Sequence, residues 1–173
     1  MSIIDRKYCL DANVLIQAWQ KYYSPNVCPS YWKILNDLGV QDRIFIPQMV
    51  YDEIVRTEDD LSNWLKGSKI PIRKIDENVT RCLKNIYSTN PLNKFLVDNI
   101  KQRSLADPWV IAHAINEGAI VVTKEEKITV LNSKRIKIPN VCENMKVTCI
   151  NDFQMINELH LKFICEINTN ENE

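Results

Sequence analysis

Four acidic residues stand where a strand-like run ends or a helix begins, and these are the residues best placed to do chemistry. They are Asp11, Glu53, Asp107 and Glu125. Two unpaired carboxylates about 4 Å apart repel by about 4 kcal/mol at an effective dielectric of about 20. A cluster of such groups therefore needs protons or a cation, and carboxylate oxygens suit Mg²⁺ or Mn²⁺ with retained waters. The chemistry that follows is metal-assisted hydrolysis of a phosphodiester.

The remaining composition argues against other kinds of site. The chain has two histidines and six cysteines without a CxxC pair, so the spacing of a zinc site is absent. Three glycines, Gly39, Gly67 and Gly118, form neither a P-loop nor a GxGxxG turn. Basic and acidic residues both total 22, so any signal for a nucleic acid must be local. The composition therefore leaves an oxygen-ligand metal site as the main candidate.

The first acid follows the stretch from Lys7 to Ile16, KYCLDANVLI. Tyr8 to Leu10 is a short apolar run typical of a buried strand, and apolar residues at helical spacing follow it. Asp11 then stands where the strand stops, which in an open parallel sheet is the edge where ligands bind. Asp is also a favoured helix N-cap, so a capping role for Asp11 stays open at this point.

The second acid belongs to a repeat of the same unit. Arg43 to Ile46 is short and β-prone, and Pro47 opens a helix that carries Glu53. Glu53 is early enough on that helix to face the same sheet edge as Asp11 if the two units are parallel. The alternative, an exposed glutamate on a helix surface, is the commoner situation for this residue type.

The remaining two acids surround a third helix and strand. Asp107 and Pro108 are typical of a helix start, with Asp at the N-cap and Pro at the first helical position. Capping alone would explain Asp107. The apolar run from Ala119 to Val122 predicts a central parallel strand that delivers Glu125 at its carboxyl end. Upstream of this unit, Leu92 to Lys101 predicts a further helix.

Two basic segments are candidates for contact with phosphates. Lys66 to Lys74 carries several cations without an acid, and Lys127 to Lys146 has a large excess of them. A solvated loop or edge strand is the usual explanation of such runs. The residues predicted to contact substrate are Lys74, Lys134 and Arg135.

The length of 173 residues with 45% hydrophobic residues predicts one domain, over residues 1–163, with a polar, frayed tail at 164–173. No apolar run approaches the roughly 20 residues that span a bilayer, and charged residues interrupt the start of the chain. We therefore expect a cytoplasmic protein without a membrane segment, whose cysteines are mostly reduced.

The ordered motifs LDANVLI, YDEIV, LADPWVIAHA and IVVTKEE resemble those of the PIN-domain nuclease family, over residues 7 to about 126. The segment IPNVCENMKVTCINDFQMI further resembles a bacterial PIN-like subgroup that is often encoded beside helix-turn-helix proteins, as in toxin–antitoxin pairs. The resemblance implies a three-layer α/β/α fold with a central parallel sheet of four to five strands flanked by helices. It also implies a Mg²⁺ or Mn²⁺ site and cleavage of single-stranded RNA.

The resemblance carries over residue by residue. Asp11, Glu53 and Asp107 match the three central acids of the family, and Asn13 matches a polar residue that supports the first. The fourth family acid is usually an aspartate two places after the threonine of the fourth strand.

In this chain Thr123 is that threonine, and Glu125 stands in place of the aspartate. Glu126 competes for the same role, and whether one or two metal ions bind stays open. An antitoxin protein, with or without a helix-turn-helix domain, is an implied partner, and a homodimer is a further possibility.

Two other functions compete with that of a nuclease. An aspartyl-phosphate phosphatase would use DxDx[TV] after the first strand, but Asn13 replaces the second acid of that motif. The serious rival is a PIN-like module that binds RNA or a protein without turnover. Activity against RNA with and without metal separates the two readings.

Overall fold

The computed structural model describes residues 6–97, 104–130 and 136–164. A parallel sheet of five strands forms the centre of this part of the chain. The strands are β1 (Tyr8–Leu10), β2 (Ile44–Pro47), β3 (Ile72–Arg73), β4 (Ile120–Val122) and β5 (Cys149–Ile150). Their order across the sheet is β3-β2-β1-β4-β5. The predicted parallel sheet of four to five strands is therefore confirmed.

Helices connect the strands and pack in two groups. They are α1 (Ala12–Gln17), α2 (Pro29–Val40), α3 (Gln48–Val55), α4 (Asp60–Gly67), α5 (Glu77–Thr89), α6 (Asp107–Glu117), α7 (Ile138–Met145) and α8 (Asp152–Glu158). A π-helical turn (Ala18–Tyr22) continues α1, and a 3₁₀ segment (Pro91–Leu96) follows α5. Helix α3 contacts α1 and α4, whereas α5, α6 and α7 contact one another. None of the helices described is long and apolar enough to cross a membrane.

The three central strands, β2, β1 and β4, are apolar and are buried between helices. Tyr8, Cys9 and Leu10 are fully buried, and so are Val121 and Val122 of β4. Continuous apolar runs of this kind are typical of parallel strands that are covered on both faces. The core is therefore centred on β1, which has a parallel neighbour on each side.

The strand order creates a switch point between β1 and β4. The chain runs from β1 to β2 and β3 on one side, and then returns across β1 to β4 and β5 on the other side. Leu10 is paired with Val122 at the carboxyl ends of these two strands. In open α/β sheets, ligands bind beyond the carboxyl ends of the strands at such a point. The residues that follow Leu10 and Val122 are Asp11 and Thr123.

Two glycines allow the chain to reach this arrangement. Gly118 ends α6 in the left-handed conformation, with φ of 62°, and turns the chain into β4. Gly39 lies against the segment before β3, where an added Cβ would come within 2.6 Å of the Lys69 carbonyl oxygen. A side chain at position 39 would therefore push α2 away from that segment.

Two local predictions are wrong. The predicted helix from Leu92 to Lys101 is a 3₁₀ segment that ends at Leu96, and residues 98–103 lie outside the described part. The buried Asn93 side chain donates a 2.7 Å hydrogen bond to the Ile86 carbonyl and ties this segment back to α5. Ala106 is the N-cap of α6. Asp107 is therefore the first helical residue instead of the N-cap, and Pro108 is the second helical residue instead of the first.

Candidate active site

Asp11 lies at the carboxyl end of β1, at the N-cap position of α1, and only 3% of it is exposed. Its side chain does not make the expected capping bond. Instead, Oδ2 accepts a 2.7 Å hydrogen bond from the Thr123 hydroxyl at the end of β4. Asp11 therefore joins the two strands at the switch point, and the capping interpretation does not account for its side chain.

Thr123 is the centre of a small hydrogen-bond network. While its hydroxyl donates to Asp11, its oxygen accepts from Asn13 Nδ2 at 3.2 Å and from the Glu125 backbone N–H at 3.1 Å. Asn13 Oδ1 also accepts from the Lys124 backbone N–H at 2.8 Å. The residues after β1 and after β4 are thus fixed relative to each other, as a supporting role for Asn13 and Thr123 requires.

Asp107 reaches the same site from the first residue of α6, and it is 9% exposed. Its carboxylate accepts a hydrogen bond from Ser104, a residue with φ of 58°. Burial raises the pKa of Asp107 to about 7, with further increases from the charges of Glu125 and Glu53. A cap exposed to water would show no such shift.

The pKa of Asp11 is raised further than that of Asp107. Burial raises its pKa to about 8, and the charge of Asp107 is the next cause. The Thr123 hydrogen bond opposes this shift because it stabilises the carboxylate form. The structure therefore brings Asp11 and Asp107 together as two enclosed carboxyl groups that hold protons near neutral pH.

Glu53 lies on α3, towards the open side of the site. Its side chain is exposed, yet neighbouring protein atoms desolvate the carboxylate enough to raise its pKa, against the effect of Arg56. Its charge also raises the pKa of Asp107. Glu53 is thus near Asp107, in a much less enclosed position than Asp11.

Glu125 and Glu126 differ in their surroundings. The Glu125 side chain is 14% exposed and its charge raises the pKa of both Asp11 and Asp107. Its Oε2 accepts a 3.0 Å hydrogen bond from the Ile138 backbone N–H. Glu126 is exposed. This placement favours Glu125 over Glu126 as the fourth acid.

Lys137 is a site residue that the sequence did not reveal. Its ammonium lies 2.5 Å from Oε1 of Glu125, and the pKa of Lys137 is raised chiefly by that hydrogen bond. In the sequence it was one of several cations in a basic segment, and the only hint was its place just before the Ile138-Pro139 helix start. Lys137 supplies positive charge to the acidic site.

The donor set fits a hard divalent cation in its chemistry. Oxygen ligands are available from buried carboxylates whose pKa values are raised by burial and by the negative charges of neighbouring acids. Within residues 6–97, 104–130 and 136–164, however, no three His, Cys, Asp or Glu residues are close enough together to hold a metal ion. An ion at this site would therefore draw the carboxylates closer together than they are here.

The residues of the two basic segments, which are predicted to contact phosphates, do not all lie near the acids. Lys74 is exposed just after β3, at the carboxyl edge of the sheet. Lys134 and Arg135 lie outside the described residues. Arg73, which belongs to the first basic segment, forms ion pairs of 2.5 Å with Asp42 and 2.6 Å with Glu117. Both partners precede strands, so the Arg73 side chain points to the amino edge of the sheet, away from the acids.

Comparison with known families settles which family this is. The profile of a domain of unknown function (DUF4411) matches residues 8–163. The chain belongs to this family. Members of the family carry no assigned function in that description, so the family alone does not supply an activity.

A solved structure supplies the fold. A chain in the crystal structure of VapBC2 from Rickettsia felis, bound to a DNA fragment from its promoter, superimposes with a TM-score of 0.55. The two chains share 18% sequence identity over 83% of this chain and 97% of the other. No curated protein matches this sequence. The likeness confirms the PIN-like fold that the motifs predict.

Proposed function

We propose that this protein is a Mg²⁺- or Mn²⁺-dependent endoribonuclease that hydrolyses phosphodiester bonds in single-stranded RNA. The observation that carries the proposal is the pair of enclosed carboxyl groups, Asp11 and Asp107, at the switch point between β1 and β4. Their pKa values are raised to about 8 and about 7. Perturbed carboxyl groups of this kind, gathered at a ligand-binding edge, are typical of functional sites.

In this proposal the metal ion is held by Asp11, Glu53, Asp107 and Glu125. When bound, such an ion activates a water molecule and stabilises the leaving oxygen. The protein contributes orientation, because Thr123 and Asn13 hold the Asp11 carboxylate in one position. Burial of Asp11 and Asp107 limits competition from water at the same place.

Without metal, the protein itself compensates the negative charges of the acidic site. Lys137 neutralises Glu125, and protons neutralise Asp11 and Asp107 at neutral pH and below. A bound divalent cation would take over this role and would favour the ionised form of the carboxylates. Metal affinity should therefore rise with pH, since ligands must lose their protons before they bind.

Substrate contacts are proposed for Lys74, Lys134 and Arg135. Phosphate contacts by Lys and Arg position a nucleic acid without reading its sequence. The formal net charge of the chain is zero, so attraction of RNA depends on local cations such as these. Affinity should accordingly be modest and should weaken as the salt concentration rises.

The protein is further proposed to be the toxin of a toxin–antitoxin pair. The fold likeness to a chain of the VapBC2 complex supports this proposal, because that complex is a toxin–antitoxin complex bound to DNA. The partner proposed here is an antitoxin that covers the acidic site, with or without a helix-turn-helix domain. Formation of a homodimer stays a prediction.

One observation favours a second candidate, a PIN-like module that binds RNA or a protein without cleaving it. Glu125 is already paired with Lys137, and no group of three ligands is assembled among the residues described. If this pairing persists in the presence of metal, the site lacks its fourth acid. Binding would then occur without turnover.

The deciding experiment measures RNA cleavage by the metal-stripped protein after Mg²⁺, Mn²⁺ or chelator is added. Two RNAs of equal composition are used, one unstructured and one a stable hairpin. We expect cleavage of the unstructured RNA only, and only with metal. Asp11→Asn is the inactive control, since it keeps the shape of the side chain and removes its charge. RNA binding without cleavage under any of these conditions would favour the binding module.

A further inference from the structure

Two aromatic rings lie exposed beside the acidic site. Tyr22 ends the π-helical turn after α1 and is 47% exposed, while Phe153 is the second residue of α8 and is 46% exposed. Their ring centroids are 5.7 Å apart in an edge-on arrangement of 77°. Large aromatic side chains are usually more buried than this, so the exposure of the pair needs an explanation.

A buried cation holds the two rings in place. The Lys124 ammonium lies 4.1 Å from the Tyr22 ring centroid and 4.0 Å from that of Phe153. It also forms a 2.5 Å ion pair with Asp152, which is fully buried, and the Lys124 side chain itself is only 7% exposed. Both rings are therefore fixed by cation–π contacts before any ligand arrives.

The ring pair rests on a layer of further aromatic side chains. Tyr23 stacks on the buried Tyr31 with ring centroids 4.3 Å apart. Phe153 packs edge-on against Tyr23, with a distance of 6.3 Å between the ring centroids. The inner rings fill the core, which leaves Tyr22 and Phe153 as an outer surface. Burial in the core thus explains the inner rings but not the outer ones.

The position of the pair relative to the acids is fixed by one residue. Lys124 stands between Thr123 and Glu125 in the chain, and its backbone N–H donates a 2.8 Å hydrogen bond to Asn13. Its side chain leads to the rings, and its backbone belongs to the network that holds Asp11. Thr123 and Glu125 also line one open pocket with Asn151 and Gln154, which stand on either side of Phe153 in the chain, so the aromatic pair lies next to the acidic site.

We propose that Tyr22 and Phe153 form a stacking platform for unpaired bases, one on each ring, of an RNA strand whose backbone crosses the acidic site. The choice of RNA rests on the proposed function. Base stacking on aromatic rings tolerates any sequence, because every base has a π-face. Bases in a duplex are stacked on one another, so the platform selects single strands. Rings that are already fixed lose little conformational freedom on binding, which favours affinity.

The test measures binding of a short fluorescent RNA, unstructured or hairpin, by anisotropy in chelator. All proteins carry Asp107→Asn, which reduces repulsion of the RNA, and the chelator excludes metal-dependent cleavage during the measurement. Tyr22→Leu and Phe153→Leu should each weaken binding of the unstructured RNA by about 5- to 150-fold, the range for loss of one base–aromatic stack. Binding of the hairpin should change little.

Matched variants separate stacking from general damage. Tyr87→Leu removes a ring that is 37% exposed on α5, in the other group of helices, and should leave binding unchanged. Tyr22→Phe and Phe153→Trp keep a stacking surface and should bind as well as the parent protein. Melting temperatures of all variants report whether Leu has loosened the fold.

The outcomes are distinct for the two proposals. Cleavage is measured separately, with metal, on the protein that keeps Asp107. RNA affinity that depends on the rings, without cleavage in that second assay, supports the platform and contradicts the nuclease. Cleavage in that assay, together with RNA affinity that is unchanged by Tyr22→Leu and Phe153→Leu, overturns the platform alone. Equal losses for unstructured and hairpin RNA, or absence of RNA binding by the parent protein, also overturn it.

Discussion

Lys137 places its ammonium 2.5 Å from Oε1 of Glu125, within reach of the charges of Asp11 and Asp107. The pair gives the acidic site an internal counter-ion. Lys137 also lowers the pKa of Asp107, against the larger effects of burial and of Glu125. A metal ion entering the site must therefore compete with Lys137 for Glu125.

Replacement of Lys137 by methionine tests this competition. Lys137→Met keeps the length of the side chain and removes its charge, so the metal-free protein should melt at a lower temperature. Mn²⁺ should bind about two- to fivefold more tightly, the scale expected for a partly exposed charge. Calorimetric titration with Mn²⁺ provides the measurement. Lys127→Met is the control, because Lys127 pairs with Glu143 in an exposed position. Weaker Mn²⁺ binding by Lys137→Met would show that the lysine assists the metal instead.

Thr123→Val tests the hydroxyl that joins the two central strands. Valine has the same shape but leaves the buried Asp11 carboxyl without its donor, so we expect a loss of about 1.5–3 kcal/mol in the free energy of unfolding. Urea unfolding measures this loss. Ser62→Ala removes another buried hydroxyl, which contacts only a backbone carbonyl at 3.5 Å, and should cost less. Equal losses for the two variants would remove the special role of Thr123.

Asp107→Asn separates a ligand from a helix cap, because Asn caps a helix about as well as Asp. Above about pH 7, where Asp107 is ionised in the folded protein, removing its charge relieves repulsion from Glu125 and Glu53, so the variant should be more stable than the parent in chelator. Metal at about 100 times its dissociation constant stabilises the parent by about 2.7 kcal/mol, and the variant should gain much less. Thermal melts with and without Mg²⁺ measure both effects.

Cleavage by Asp107→Asn should fall at least 100-fold, roughly the largest loss seen when a group that only supports a ligand is changed. Asp76→Asn is the matched control, because Asp76 is a true cap that accepts from the Val79 backbone N–H. Metal-dependent cleavage that survives Asp107→Asn would overturn the assignment of Asp107.

The raised pKa values predict how stability depends on pH. In the unfolded chain these carboxyl groups lose their protons near pH 4, whereas in the folded protein Asp107 and Asp11 keep them to about 7 and about 8. Between these values the folded state binds more protons than the unfolded state. Their contribution to stability is therefore complete below about pH 4 and is lost as the pH rises to about 8.

Urea unfolding in chelator at several pH values within this window provides the test. Asp11→Asn should flatten the decline, whereas Asp42→Asn should not. Asp42 is a suitable control because its hydrogen bond to Lys7 lowers its pKa, which moves its titration below the window. A decline of the same slope in Asp11→Asn and the parent protein would refute the protonation of Asp11.

The sequence was sufficient for the sheet and for placing Asp11 and Thr123 at the carboxyl ends of two of its strands. Both residues follow short apolar runs, and parallel strands bring such positions to one edge. Asp107 and Glu53 could be assigned to the same edge because each stands near a helix start that follows the same alternation. These inferences need only local periodicity and the geometry of parallel strands.

Other contacts depend on how distant segments return to the sheet. Lys137 meets Glu125 only after the chain has left the edge of β4 and come back at the start of α7, which no local pattern encodes. Lys124 is buried against Asp152, whereas lysine is usually exposed, so its residue type predicted a surface position incorrectly. Arg73 turned to the amino edge because Asp42 and Glu117 are both there.

The bond between Thr123 and Asp11 spans 112 residues of chain. At about 5–20 residues per second, a ribosome needs roughly 6 to 22 seconds to make the second residue after the first. Contacts of such long range also form slowly, because loop closure must precede them. A nascent or truncated chain thus carries Asp11 without Thr123, Glu125 or Lys137, and it cannot assemble the site until most of the protein has been synthesised.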